Sequence, residues 1–373
     1  MSEIETDGAL DLVRVVRGVR PLSYVDGSLV CWHNGRLLVT NDFGQTFQRT
    51  VTLPVSSWMD RLARLHPRIQ QVLRLHPFRL RADGTGGFVL SMPPGVYSRA
   101  HAHGPFRVFS DFHGRRPCSL DATPEGEWVF GEYPQNVDRS LDIRVFSSQD
   151  SGANWRVRHT FPAGSIRHIH GVSYDRWAEC FWLCCGDKPQ ESIVFRAAKD
   201  FSEIVPVMSG SPETRLFWIH VTETMLVTAT DSPNSQNYIL RFDKNTGEMT
   251  RVCPIQNSSF YCGSAGDALF VSTNAEPPEE SNQVATNAND TNASYVWAAR
   301  PPYTNWKQVL QFPIDIFQRL TAMPAVPKAL FQYPTVILPD GENGSPYLVV
   351  YCMGLRRYGG RMVVYDTSKL QFP

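Results

Sequence analysis

The side chains of this chain that could do chemistry are guanidinium, imidazole, phenol and carboxylate groups set at recurring positions. Arg20, Arg116, Arg167 and Arg215 each precede or open an apolar run, and so do His168, His170, Trp218, Tyr261 and Tyr333. Glu132, Asp187, Asp231 and Glu276 each close the apolar run that follows. Arginines can grip a substrate carboxylate with two parallel hydrogen bonds. A carboxylate pair can break a glycosidic bond through an oxocarbenium-like transition state. The set therefore suits an anionic sugar. Glu132, Asp187, His168 and His170 are the candidate catalytic groups. Arg116, Arg167, Arg215, Trp218, Asp231, Tyr261 and Glu276 are the candidate substrate contacts.

Other chemistries fit parts of the same set. The two histidines with Tyr261 or Tyr174 could supply a base for β-elimination beside a uronate carboxylate, as in a lyase. His168 and His170, two apart on one strand, point the same way and could ligate a metal with Asp187 or Glu191. Two neutral imidazoles hydrogen-bonding to each other account for the pair as well, so neither a metal nor another cofactor is expected. A non-catalytic platform that binds a glycan or a protein is the rival function.

Such residues meet only if the runs that carry them are arranged around one axis, and the chain repeats in a way that would do this. Strands Cys118–Ala122, Glu127–Gly131, Asp142–Ser148 and Trp155–Phe161 form one copy. His168–Tyr174, Cys180–Cys185, Ser192–Ala197 and Glu203–Met208 form the next, and Phe217–Thr222, Met225–Thr230, Tyr238–Phe242 and Met249–Pro254 another. The period of roughly 45–50 residues is that of a four-stranded propeller blade. Further copies start at Pro21 and near Phe78, Phe260 and Tyr333, which makes seven. The last has three strands, Pro334–Leu338, Tyr347–Cys352 and Arg361–Tyr365, while Asp11–Val16 is a strand with no blade of its own. Pairing the leftover with the vacancy removes two exposed edges. The expected fold is all-β, a single seven-bladed propeller over residues 1–373.

Two segments break the rhythm. Residues 57–76 read as helix, with Leu62, Leu65, Ile69, Val72 and Leu73 on one face and Pro67 able to open a second helix. Arg61, Arg64, Arg68 and Arg74 would line the other face, which could touch an anionic surface. Residues 276–294 are poor in apolar side chains and read as a mobile loop.

Ser148-Gln-Asp150-Ser-Gly152-Ala-Asn-Trp155 matches Ser-x-Asp-x-Gly-x-x-Trp, and Thr40-Asn-Asp42-Phe-Gly44-Gln-Thr-Phe47 matches its permitted variant. These resemble the Asp-box, the bacterial neuraminidase repeat of sialidase-like propellers. The resemblance implies a structural role for Asp42, Gly44, Asp150, Gly152 and Trp155, in hairpins away from the active site. A broader stretch is similar to glycosyl-hydrolase-like proteins with this repeat. It comprises Gly131-Glu-Tyr-Pro-Gln-Asn136-Val-Asp-Arg139, Ile166-Arg-His-Ile-His170-Gly-Val-Ser-Tyr-Asp175 and Cys185-Gly-Asp187. Sialidases use three arginines, a tyrosine with a glutamate partner, and an aspartate acid/base. Their first-blade Arg-Ile-Pro motif is absent here, Arg20-Pro21 being a fragment of it, so no role is carried over residue by residue. The absence of any Trp-Asp dipeptide argues against a WD40 propeller.

Composition narrows the partners. With 36 Lys+Arg against 36 Asp+Glu there is no basic excess for nucleic acid. Gly84–Gly87 lacks the lysine and following helix of a phosphate loop. The longest apolar runs fall far short of the ~20 residues that span a bilayer. An acidic, polar start without an apolar stretch, and eight scattered cysteines without a disulfide framework, suggest a cytoplasmic protein.

Overall fold

A computed structural model describes residues 8–55, 57–82, 86–276, 290–320 and 332–372. The chain is an all-β, seven-bladed propeller of four-stranded antiparallel sheets. Six sheets use four consecutive strands. In the seventh, Asp11–Arg17 pairs with Arg361–Asp366, from Asp11 opposite Asp366 to Arg17 opposite Arg361. The leftover strand fills the vacancy, one residue longer than expected.

By compactness the chain divides into two units. One, from the described residues of Met1–Leu75, Pro233–Asn237 and Val252–Pro373, holds the sheets that begin at Arg20, Ser259 and Thr335. The other, His76–Ser232 with Tyr238–Arg251, holds those that begin at Arg79, Leu120 and Ile169, and most of the one that begins at His220.

Strand Cys180–Cys185 shows how the sequence builds a blade. All six residues are buried because both faces of the sheet are covered. Side chains alternate across a strand. Phe181, Leu183 and Cys185 therefore enter one core with Val129, Val145 and Ile169, while Cys180, Trp182 and Cys184 enter another with Leu216, Leu226 and Leu240. A continuous apolar run is the signature of such a strand. Burial also drives the Cys184 and Cys185 thiols far up from their usual range, which suits packing and not nucleophilic work. Two-residue hairpins at Asp26-Gly27 and Asn34-Gly35, with positive φ at all four residues, join the first three strands of the Arg20 sheet.

The turns at Asp42 and Asp150 are built alike. Thr40 and Ser148 each donate a hydroxyl to the aspartate at 2.8 Å and accept the N–H of Gly44 or Gly152 at 2.9 Å. The aspartates then accept the N–H of Thr46 (2.9 Å) and of Asn154 (2.8 Å). Trp155 stacks on Phe109 of the preceding sheet and meets Phe130 edge-on.

The helical insertion departs from its expected face. It forms two short helices, Trp58–Ala63 and Pro67–Leu73, with Pro67 opening the second. Leu62, Leu65 and Val72 are exposed, whereas Asp60, Ala63 and Gln70 are buried. The apolar spacing was counted along one axis, but the break at Arg64–His66 gives each helix its own axis. The basic face is also partly occupied. Arg64 is bound by Asp60 and by the carbonyls of Leu53 and Pro54, and Arg68 lies over the Phe317 ring at 4.0 Å. The expected loop at 276–294 falls mostly outside the described residues. No helix among the described residues is long and apolar enough to cross a membrane.

Candidate functional site

Four adjoining inner strands of the second unit carry a polar cluster at their starts. Its centre is Asp187. Strand Cys180–Cys185 ends at Gly186, whose N–H still reaches the His168 carbonyl at 3.0 Å, so Asp187 is delivered opposite Arg167 and His168. Only glycine fits this turn. Its φ is +75°, and a Cβ would lie 1.9 Å from the Glu191 carbonyl oxygen. Glu191, an alternative ligand by sequence, caps the turn instead. It accepts the Lys188 N–H at 3.1 Å and pairs with Arg139.

The Asp187 side chain is 6% exposed and uses both oxygens. Oδ2 accepts from Arg167. Oδ1 lies 3.3 Å from His168 Nε2, 3.1 Å from His170 Nε2 and 3.6 Å from Arg215 Nε. Arg215 donates to Asp231 at 3.1 Å, and Asp231 Oδ1 is buried with no hydrogen-bond partner among the described residues. Arg167 also donates to the Gln135 carbonyl at 2.8 Å.

The two imidazoles are held by rings on either side. Tyr133 lies against His168 with centroids 4.1 Å apart, and Phe217 stacks on His170 at 5.1 Å. Burial holds His168 below its ordinary pKa against the pull of Asp187. Phe217 in turn meets Phe78 edge-on at 6.4 Å, and the Arg116 guanidinium covers Phe78 at 3.8 Å. Arg116 donates to the Pro117 carbonyl at 3.4 Å and has no carboxylate partner among the described residues.

Asp187, His168, His170, Arg167, Arg215 and Asp231 thus come together. Glu132 does not join them. Its fully buried carboxylate accepts the N–H groups of His113 (2.7 Å) and Arg144 (2.8 Å) and pairs with the Arg144 guanidinium at 2.7 Å. Glu132 and Tyr133 both lie just beyond the strand Trp128–Gly131. Tyr133 faces the histidines and Glu132 turns away. Trp218 is buried at 5% exposure, and its carbonyl accepts from Thr228 at 2.5 Å. Tyr261 and Glu276 belong to the other unit, where both are buried. Tyr133, Phe217 and Phe78 were not among the sequence candidates; Phe217, inside an apolar run, looks like core.

No family model matches the chain, and no curated protein matches its sequence. Solved structures do resemble it. A structure described as YCF48 bound to D1 peptide matches at 10% identity and TM-score 0.56, over 99% of this chain and 98% of the other. The WD40 propeller domain of Doa1 matches at 9% identity and TM-score 0.56, over 97% and 98%. A chain of a mitotic checkpoint complex matches at 10% and 0.55, over 98% and 96%. None of the three is described as a sialidase, and lack of a Trp-Asp dipeptide does not set this fold apart from a WD40 propeller. What the likeness establishes is the propeller fold.

Proposed function

We propose that this protein is a recognition propeller that binds an acidic peptide segment of a partner protein, without breaking a bond in it. The observation that carries the reading is Arg116. It is a half-buried guanidinium braced on Phe78, with no carboxylate partner among the described residues. An arginine held ready in this way suits a carboxylate brought by a ligand. Hydrolysis of an anionic glycan needs a protonated carboxyl as donor. Asp187 is paired with the Arg167 guanidinium, and Glu132 is saturated by four donor contacts from two residues. A bound sugar ring also rests on exposed aromatic faces, whereas Trp218 and Tyr261 are 5% and 2% exposed. That a propeller of similar fold is described with a peptide bound fits the same reading.

The test is calorimetric titration of the protein with a short glutamate-rich peptide and, separately, with a uronate oligosaccharide. Binding of the peptide, weakened about 10–100-fold by Arg116→Ala, is the expected result, as for loss of one charge-assisted contact. Release of sugar products would overturn it in favour of the hydrolase or lyase.

A further inference from the structure

His168 and His170 meet nitrogen to nitrogen. Their Nε2 atoms are 2.8 Å apart, and both lie within 3.3 Å of Asp187 Oδ1. The opposite ring nitrogens are already committed. His168 Nδ1 is 3.0 Å from the Pro134 carbonyl oxygen and His170 Nδ1 is 3.3 Å from that of Leu216. A carbonyl can only accept, so each Nδ1 carries the hydrogen, and each neutral ring then presents a bare lone pair at Nε2. Three lone-pair atoms face one another inside a buried cluster with no hydrogen of their own to share. Such a convergence is repulsive unless a cation lies within it.

We propose that His168 Nε2, His170 Nε2 and Asp187 Oδ1 bind one zinc ion. Imidazole and carboxylate are the donor set zinc accepts, and two histidines with one carboxylate leave a fourth position open. Ligand atoms around tetrahedral zinc stand about 3.3 Å apart. The two contacts of Asp187 match this, and the histidine pair needs to open by about half an ångström. The surroundings are those of a built site. Backbone carbonyls fix both rings through Nδ1, which sets the tautomer that metal binding requires. Tyr133 and Phe217 hold the ring planes. Arg167 holds the other Asp187 oxygen and orients the carboxylate. Arg215, whose contact with Oδ1 is long, retains Asp231 when the ion enters. The site is independent of the peptide reading, since it asks nothing of Arg116.

The experiment uses the untagged full chain, stripped with a chelator, given Zn²⁺ and desalted. One retained zinc per chain by mass spectrometry is expected. Its affinity should fall in His170→Ala by more than the roughly 10–100-fold that loss of a hydrogen-bond partner behind a ligand costs. Because a buried histidine variant can fail to fold, two measurements use the parent. Cobalt should give visible d–d bands without a thiolate charge-transfer band, which excludes the half-exposed Cys253 and Cys262 as ligands. Nitrogen-15 NMR of the imidazoles should show zinc moving Nε2 of two histidines and sparing their Nδ1. No retained zinc in the folded parent, a thiolate band, or unmoved imidazole signals would each overturn the assignment. No partner is present in these measurements, so their failure leaves the peptide reading standing and its failure leaves theirs.

Discussion

Ser98 donates its hydroxyl to the Gly152 carbonyl at 2.8 Å, and a Cβ on Gly152 would lie 2.5 Å from the Ser98 Cβ. The Asp150 turn of one sheet is thereby seated on a strand of the sheet before it.

This seating makes Gly152→Ala costly on two counts, a φ of +79° and the clash with Ser98. A loss of about 2–3 kcal/mol in urea unfolding is expected, with Ser98→Gly in the same chain restoring part of it. Asp150→Ala, which removes turn hydrogen bonds without a clash, should cost about 1–2 kcal/mol and leave peptide affinity unchanged. Purely additive effects of Gly152→Ala and Ser98→Gly would count against the contact.

Removal of residues 1–17 takes away the partner of Arg361–Asp366 and leaves an open sheet edge. A sharp drop in melting temperature and a tendency to aggregate are expected by calorimetry and light scattering. A truncated chain that melts like the parent would contradict the pairing.

Glu132→Gln separates structure from function. Its carboxylate serves two backbone N–H groups and the Arg144 side chain, and an amide cannot accept from all of them. A stability loss of about 2–3 kcal/mol is expected by denaturant titration, with peptide affinity within threefold of the parent. Intact stability with abolished ligand turnover would restore Glu132 as a catalytic group.

Acid sensitivity should trace in part to Asp175. Burial alone would raise its pKa, but Lys244 at 2.9 Å, the Ala178 N–H and the Trp182 indole bring it below the usual carboxylate value. A carboxyl depressed in the folded state contributes stability that is fully present above its unfolded pKa of about 3.9. That contribution is lost as pH falls through the lower folded value. Asp175→Asn should therefore lower stability at neutral pH and flatten its decline below about pH 4. An unchanged slope would show that other carboxylates govern the acid limb.

Strand placement was legible because buried blade strands announce themselves. Cys180–Cys185 has the bounds its apolar pattern gives, and the unpaired Asp11 strand found its vacancy by counting. The site was legible in part. Arg167, His168, His170, Asp187, Arg215 and Asp231 share recurring positions, and recurrence in a propeller is proximity. Glu132 shares the same position yet faces away, since its direction depends on which side of the sheet the chain takes after Gly131. The inner strand expected at Phe217–Thr222 shrinks to His220–Val221, with an isolated bridge between Leu216 and Thr230 ahead of it. At 57–76 the periodicity was real, but Pro67 divided it between two axes.

The strand Asp11–Arg17 bears on the order in which the molecule is made. On a ribosome its neighbour in the sheet, Arg361–Asp366, is translated some 350 residues after it. At about 5–20 residues per second, that is a wait of tens of seconds with an unsatisfied edge. Its composition suits the delay. Asp11, Arg14 and Arg17 put a charge at every third position, which discourages pairing with a stray strand. The sheet that joins the two is thus complete only once residue 366 has been made.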